Sequence, residues 1–338
     1  MRHYAISVAV VLGAAAPAAS QDLTVTAFGG IWEESLRKCT IEPFQAATGK
    51  QVAVQLGGSA QWLNQISATP SNPPIDVLLI SSDAAFDAVE RGLVEHLTTE
   101  QVPALDQILP RFRELTGDNG AVHNYGTMGV LYNKDVIDEP PASWNELIDG
   151  TIEGRWTLAI PGVNNGISAM LTTVWYWSTQ LGGDIDNVDP AFEKLAEMRD
   201  SGNLVVWNSS SDVIPMMGSG EADIAVYWDG RAWAFIRDGN DEFDFYGPEP
   251  GMVPALTWVQ KVKNGRELGY EFIDFMLQEE QQSCFAANIL YGVGNENATV
   301  PGDLQAYMPD HEGLVFPPFE DAAANLASWV ERWNREVD

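Results

Sequence analysis

The chain is poor in positive charge. Its 338 residues hold 18 Lys and Arg against 48 Asp and Glu, a formal net charge of −30 at pH 7. A surface of that sign repels phosphate backbones and anionic headgroups, which argues against nucleic acid or a membrane surface as partner. Histidine and cysteine are scarce too, at four and two. Beyond the N-terminal region stand only His96, His123 and His311, far apart and without zinc-ligand spacing, so surface or loop positions are expected and no metal is. The motifs of common chemistries are missing: no G-x-S-x-G elbow, no phosphate-binding loop, no G-x-G-x-x-G after a strand, no H-E-x-x-H. With carboxylates this abundant, no pair stands out as acid and base. The expectation is a protein that is not an enzyme and needs no cofactor. After the first twenty residues no apolar run reaches the ~20 residues needed to cross a bilayer. Repeats, low-complexity tracts and a long linker are also absent.

What is present begins with residues 1–20. A short basic start at Arg2 and His3, an apolar run to Ala16 and small residues through Ser20 read as a cleaved secretory signal. An exported, soluble mature chain follows. In that oxidising setting Cys39 and Cys284 are either a disulfide or two small buried hydrophobes on separate helices, and spacing alone does not choose. Low hydrophobicity with high charge would suggest disorder, but 12 Trp, 13 Phe and 9 Tyr supply ample core.

Strands and helices alternate along the mature chain. Residues 23–27 read as a strand, 32–48 as a helix closed by Gly49, 52–56 as a second strand and 59–68 as a short helix. The run 75–80 is apolar throughout, as in a buried parallel strand, and a helix follows over 84–91. After Pro140-Pro141, Ser143-Trp-Asn-Glu146 has capping-box spacing. Strands are then expected at 156–160, 204–207 and 224–228, and helices at 167–181, 191–201, 269–287 and 326–335. The fold class is α/β, with two lobes of mixed sheet flanked by helices. Ligands of open α/β sheets lie beyond the carboxyl ends of the strands, so a cleft between the lobes is the expected site.

Aromatic and carboxylate residues meet at those strand ends. Phe28-Gly29-Gly30 follows the first strand, the glycines leaving N–H groups open to a ligand. Ser81-Ser82-Asp83 ends another, where Asp83 serves either a ligand or the N-terminus of the next helix. Tyr227-Trp228-Asp229-Gly230-Arg231 ends a third. A Trp face with a nearby carboxylate suits a small organic cation, the ring contributing ~0.5–2 kcal/mol. Trp175 and Trp177 lie in an apolar helix where core packing is the default, although Trp175 remains a ligand candidate. Trp329 and Trp333 look like a packed stripe.

These segments resemble the extracellular solute-binding proteins of ABC importers, in the branch that contains the spermidine/putrescine-binding proteins. The likeness rests on Leu23-Thr-Val-Thr-Ala-Phe-Gly-Gly30, Ile75-Asp-Val-Leu-Leu-Ile-Ser-Ser82, Tyr132-Asn133, Ser143-Trp144, Tyr291-Gly-Val-Gly-Asn295 and above all Gly220-Glu-Ala-Asp-Ile-Ala-Val-Tyr-Trp-Asp-Gly230. The resemblance implies a type II periplasmic-binding-protein fold with lobe 1 at 22–127 plus 252–298 and lobe 2 at 128–251 plus 299–338. It implies a periplasmic monomer that closes on a small molecule and delivers it to a permease in the inner membrane. Ligand contacts are then expected from Phe28, Gly29, Gly30, Ser81, Asp83, Tyr125, Asn165, Ser168, Trp175, Trp228, Asp229 and Tyr291. Two departures from the polyamine binders matter. Residues 252–257 carry no acid, and Asn164-Asn165-Gly166-Ile167-Ser168 stands where those proteins tend to place carboxylates. A buried unpaired ammonium is costly. The expected ligand is therefore a small zwitterion or monocation of the betaine, dimethylsulfoniopropionate, choline or aminoethylphosphonate type, its anionic end received by Asn165, Ser168 and a helix N-terminus. A polyamine is the alternative. Ferric iron ranks low, since no Tyr-Tyr pair exists, and a secreted enzyme is the remaining reading.

Overall fold

A computed structural model describes residues 21–165, 167–309 and 313–337. The signal sequence expected at 1–20 and His311 lie outside them. Ten strands form the frame. β1 (Leu23–Ala27), β2 (Val52–Leu56) and β3 (Val77–Ser81) are parallel, and β9 (Pro254–Lys261) runs antiparallel beside β3. In the other half, β5 (Leu158–Pro161), β6 (Leu204–Trp207) and β7 (Ile224–Trp228) are parallel, and β8 (Phe243–Tyr246) lies across β4 (Ala121–Asn133). The burial of β3 on both faces, four successive fully buried residues, is why it reads as an unbroken apolar run.

β4 joins the halves and, like β8, β9 and β10, is a strand that the residue pattern did not reveal. Its first part, through Thr127, pairs with β9, and β10 (Gly292–Val293) pairs with Tyr125 and Asn124. From Met128 onward it pairs with β7, and from Val130 with β8 as well. Twelve of its thirteen residues are buried, so the polar–apolar alternation that marks an ordinary antiparallel strand is absent. His123 falls at a register shift in this strand and is fully buried. That corrects its expected surface placement; its ring fills the gap between Trp32 and Phe285, at centroid distances of 5.9 and 4.7 Å. His96 is exposed, as expected.

Most helices fall where the apolar spacing puts them. Residues 31–48 form one helix with a π-helical stretch at Arg37–Ile41, ended by Gly49 in the left-handed conformation (φ 72°) that glycine adopts without steric penalty. Ser143 caps helix Trp144–Ile152 by accepting from Glu146 N at 3.2 Å. Glu146 returns not to Ser143 but to Ala142 N, at 2.9 Å. One expected helix, 269–287, is instead two, Leu268–Leu277 and Glu279–Ile289, broken at an extended Gln278. Met276 and Leu277 before the break and Phe285 and Ile289 after it are all buried. Side-chain amides of Gln282 and Asn295 donate to the carbonyls of Met276 and Leu277 that the break leaves open.

The core is rich in indoles. Trp62, Trp144, Trp177, Trp207, Trp258 and Trp333 are fully buried, which accounts for half of the tryptophans as packing. Cys39 and Cys284 are joined, tying helix 31–48 to helix Glu279–Ile289. Among the described residues no helix is long and apolar enough to cross a membrane.

Candidate functional site

The carboxyl ends of five strands converge. Phe28 follows β1, Ser81 ends β3, Asn165 and Ser168 follow β5, Ser210 follows β6 and Trp228 ends β7. Together with Tyr291 and Arg231 they surround a cavity of about 260 Å³. Its floor is set by register: Ser81 stands opposite Thr257, and Thr257 opposite Asn124, so one residue from each of β3, β9 and β4 lies in a row across the sheet. The size is just below the ~300–1,000 Å³ of pockets for drug-sized ligands, so a small solute fits.

Aromatic surface dominates one side. Phe28 meets Trp32 edge-on at 5.4 Å, and both line the cavity with Trp228 and Tyr291. The Tyr291 ring can approach only because residue 230 is glycine: a Cβ there would lie 2.5 Å from the ring and from Ile289 O. Burial and the Asp229 charge push the Tyr291 phenol upward, with Arg231 acting the other way. Arg231, in the first turn of helix Asp229–Arg237, is the sole charged residue of either sign along this wall among the described residues. Among the described residues no Asp or Glu lines the cavity.

Six of the twelve expected contacts are brought together here: Phe28, Ser81, Asn165, Ser168, Trp228 and Tyr291. Gly29 and Gly30 lie in the turn before helix 31–48, outside the lining. Tyr125 is buried beneath Gly292, its hydroxyl donating to Pro309 O at 3.5 Å. Trp175 is buried and stacks on Tyr176 at 5.9 Å, outside the lining. Asp83 heads helix Ser82–Glu90 and lines a different cavity. Asp229 turns away into the protein. Its Oδ2 accepts from Thr127 N and Oγ1 at 2.9 and 2.8 Å, and its Oδ1 from Gly230 N at 2.7 Å. It thereby pins β7 to the point where β4 changes neighbours. Asn165 Nδ2 donates to Gly162 O and Trp207 O, leaving its carbonyl for other partners.

Trp32, Asn124, Gly126, Ser210, Arg231 and residues 255–257 join the lining without having been singled out. Trp32 was legible, one helical turn after Phe28. Arg231 was not: it stands two residues after Asp229 on the same turn, and residue order does not say which of the two faces the cavity. The β9 residues carry no local signal, because only pairing with β3 and β4 brings them here.

A model of the family described as bacterial extracellular solute-binding protein matches residues 40–308. The chain belongs to this family. Among its relatives, a provisionally named 2-aminoethylphosphonate-binding periplasmic protein of Salmonella typhimurium is 22% identical across 96% of this chain and 95% of its own. The norspermidine sensor of Vibrio cholerae is 21% identical, covering 88% of this chain and 84% of that one. The solved structure of the Atu4243 GABA receptor superposes with a TM-score of 0.78 at 20% identity, covering 94% and 98%. The fold is thus the type II periplasmic-binding-protein fold with two lobes. A solute-binding protein of this kind takes up a small molecule outside the cytoplasm and passes it to an ABC permease.

Two buried titratable groups beside the cavity set opposite pH dependences for the solute-binding protein. Burial lowers the His123 imidazole to about 4, against the opposing hydrogen bond from Nδ1 to Asn124 Oδ1 at 2.9 Å, while Nε2 has no partner among the aromatic rings. Its folded pKa lies below the unfolded 6.5, so its stabilising contribution is complete above pH 6.5 and is lost as pH falls toward 4. Burial raises the Asp229 carboxyl to about 7, against the hydrogen bonds from Thr127 and Gly230. There the folded state holds the proton more tightly, so stability declines as pH rises from about 4 to about 7. Each contribution is on the order of 3 kcal/mol. Relative to the parent protein, His123→Gln should therefore lose stability as pH rises through this window, and Asp229→Asn should gain it. Melting temperatures measured from pH 4 to about 7 check this; parallel curves for the parent and both variants would refute it.

Proposed function

We propose that the protein captures a small zwitterion, an onium or ammonium group joined to a carboxylate, sulfonate or phosphonate, and carries it to its permease. The observation that carries this reading is the composition of the cavity: one arginine, four aromatic rings and no acid. Arg231 offers a planar fork for the anionic end, supported by Ser168 and the start of the helix that begins at Ile167. The rings of Phe28, Trp32, Trp228 and Tyr291 offer negative faces to the cation, worth ~0.5–2 kcal/mol apiece. Choline and the polyamines fit less well, because both would place positive charge beside Arg231 with no carboxylate to offset it. Betaine, dimethylsulfoniopropionate and aminoethylphosphonate are members of the favoured class. The lobes that close on it are 22–127 with 252–298 and 128–251 with 299–338, β4 crossing between them at Thr127–Met128.

Calorimetric titration of the mature chain tests the reading. Zwitterions of this class are expected to bind at one site that Trp228→Ala weakens, and neither choline nor spermidine is expected to compete for it. Competition by spermidine would restore the polyamine alternative. Turnover of the bound molecule would restore the enzyme.

A further inference from the structure

Most polar side chains that line the aromatic cavity leave the cationic end of a ligand undefined. The hydroxyls of Ser81, Ser168, Ser210, Thr257 and Tyr291 donate or accept by turning. Arg231 only donates. Asn124 has its carbonyl engaged, since Oδ1 accepts from His123 Nδ1 at 2.9 Å, and so presents N–H groups. Asn165 is the exception, because the fold fixes its amide the other way round.

The mount is local. Asn165 ends the turn Val163–Asn165 that follows β5. Its backbone N–H donates to Gly162 O at 3.1 Å, and Gly162 N donates to Trp207 O, at the end of β6, at 2.8 Å. The side-chain Nδ2 then donates to the same two carbonyls, at 3.1 Å to Gly162 O and 3.2 Å to Trp207 O. Both neighbours are acceptors, so a flipped amide would set oxygen against two oxygens. The close approach needs glycine at 162, where a Cβ would lie 2.8 Å from Val206 Cγ1 and from Asn208 Oδ1. With the nitrogen held against the strand ends, Oδ1 is turned from them, to the side where the cavity lies. Among the described residues no protein donor reaches it.

β5 pairs with β7, so the Asn165 turn and Trp228 stand at neighbouring strand ends. A cation on the Trp228 ring is therefore beside an acceptor that has no partner and cannot become a donor. A primary ammonium serves both, offering its charge to the ring and one of its N–H groups to Oδ1. A trimethylammonium or dimethylsulfonium group serves the ring alone. When the lobes close on it, Oδ1 loses water and gains nothing. A site built to hydrogen-bond an N–H discriminates on that ground against a ligand without one.

We infer that Asn165 makes the protein select zwitterions whose cationic end is a primary ammonium over their fully methylated counterparts. The inference rests on the zwitterion reading and narrows it: aminoethylphosphonate is favoured over betaine and dimethylsulfoniopropionate, although all three suit the rings and Arg231.

Calorimetric titration of the mature chain with matched pairs tests this. The probes are 2-aminoethylphosphonate and 3-aminopropanoate, each beside its N,N,N-trimethyl counterpart. In whichever pair binds, the primary amine should bind at least about tenfold tighter. Asn165→Ala should bring that ratio to within about threefold, chiefly by weakening the amine. Loosening of the turn alone would weaken both members alike and leave the ratio as it was. The ratio in the parent protein needs no variant, so the test stands even where Asn165→Ala folds poorly. A trimethyl form that binds the parent as tightly as its amine would overturn the inference and leave the zwitterion reading standing. So would a ratio that Asn165→Ala leaves unchanged. No binding by any of the four would remove the zwitterion reading itself, and this inference with it.

Discussion

Arg231→Ala is expected to weaken zwitterion binding by roughly a hundredfold or more. Removing one member of a desolvated, hydrogen-bonded charge pair costs about 2–5 kcal/mol, and 1.4 kcal/mol is a factor of ten. No other cation lines the cavity to take over. The effect on folding is small, because Arg231 sits half-buried in the first turn of a helix, where Ala is well tolerated. Arg231→Lys keeps the charge but loses the planar fork, so its loss should be smaller yet clear. Trp228→Ala removes one aromatic face and should cost ~0.5–2 kcal/mol, less than the arginine. That ranking separates the proposed zwitterion from a plain onium cation, for which Arg231→Ala would strengthen binding by removing a like charge. Calorimetry on the three variants decides; an Arg231→Ala protein within twofold of the parent would sink the assignment.

The same arginine shows how far residue order alone reaches. Tyr227-Trp228-Asp229-Gly230-Arg231 is legible as a strand end turning into a helix, and a strand end in an α/β lobe is where ligands lie. Which side chain of that turn points outward is not legible. Asp229 looked like the ligand's partner, being acidic beside a Trp. In three dimensions its carboxylate is consumed by Thr127 and Gly230, and the charge that reaches the cavity is Arg231. The deciding contact, Thr127, is 102 residues away. Six of the ten strands among the described residues and most helices were readable because their signals are local: apolar spacing, Gly49, Ser143. β4 was not, because a strand buried on both faces loses its alternation, and the break at Gln278 was not, because distant Asn295 and Gln282 are what make it tolerable. The −30 charge divides accordingly. Among the described residues none of the Asp and Glu side chains lines the aromatic cavity.

The Cys39–Cys284 bond should be the largest single contribution to stability that one double substitution can remove. The two residues are 245 apart in sequence, so the loop they close spans most of the chain. In the chain-entropy account a cross-link over so long a loop stabilises by roughly 5 kcal/mol, and losing a native disulfide typically costs 2–5. The packing around the bond survives its removal. Trp32 still meets Phe285 edge-on at 5.4 Å across the same two helices, and Lys38 still donates to Asn288 Oδ1 at 2.7 Å. Alanine is the right replacement, because Cys39 is buried and a serine would bury an unpaired hydroxyl. Urea unfolding of Cys39→Ala/Cys284→Ala is therefore expected to show a midpoint shifted down by an amount equivalent to roughly 2–5 kcal/mol. The slope should steepen as well, because an unfolded chain freed of the cross-link exposes more surface. Zwitterion affinity should be unchanged, since neither cysteine lines the cavity. An unshifted midpoint with an unshifted slope would mean that the unfolded state is already confined by something other than this bond, and that the two helices hold each other by packing alone.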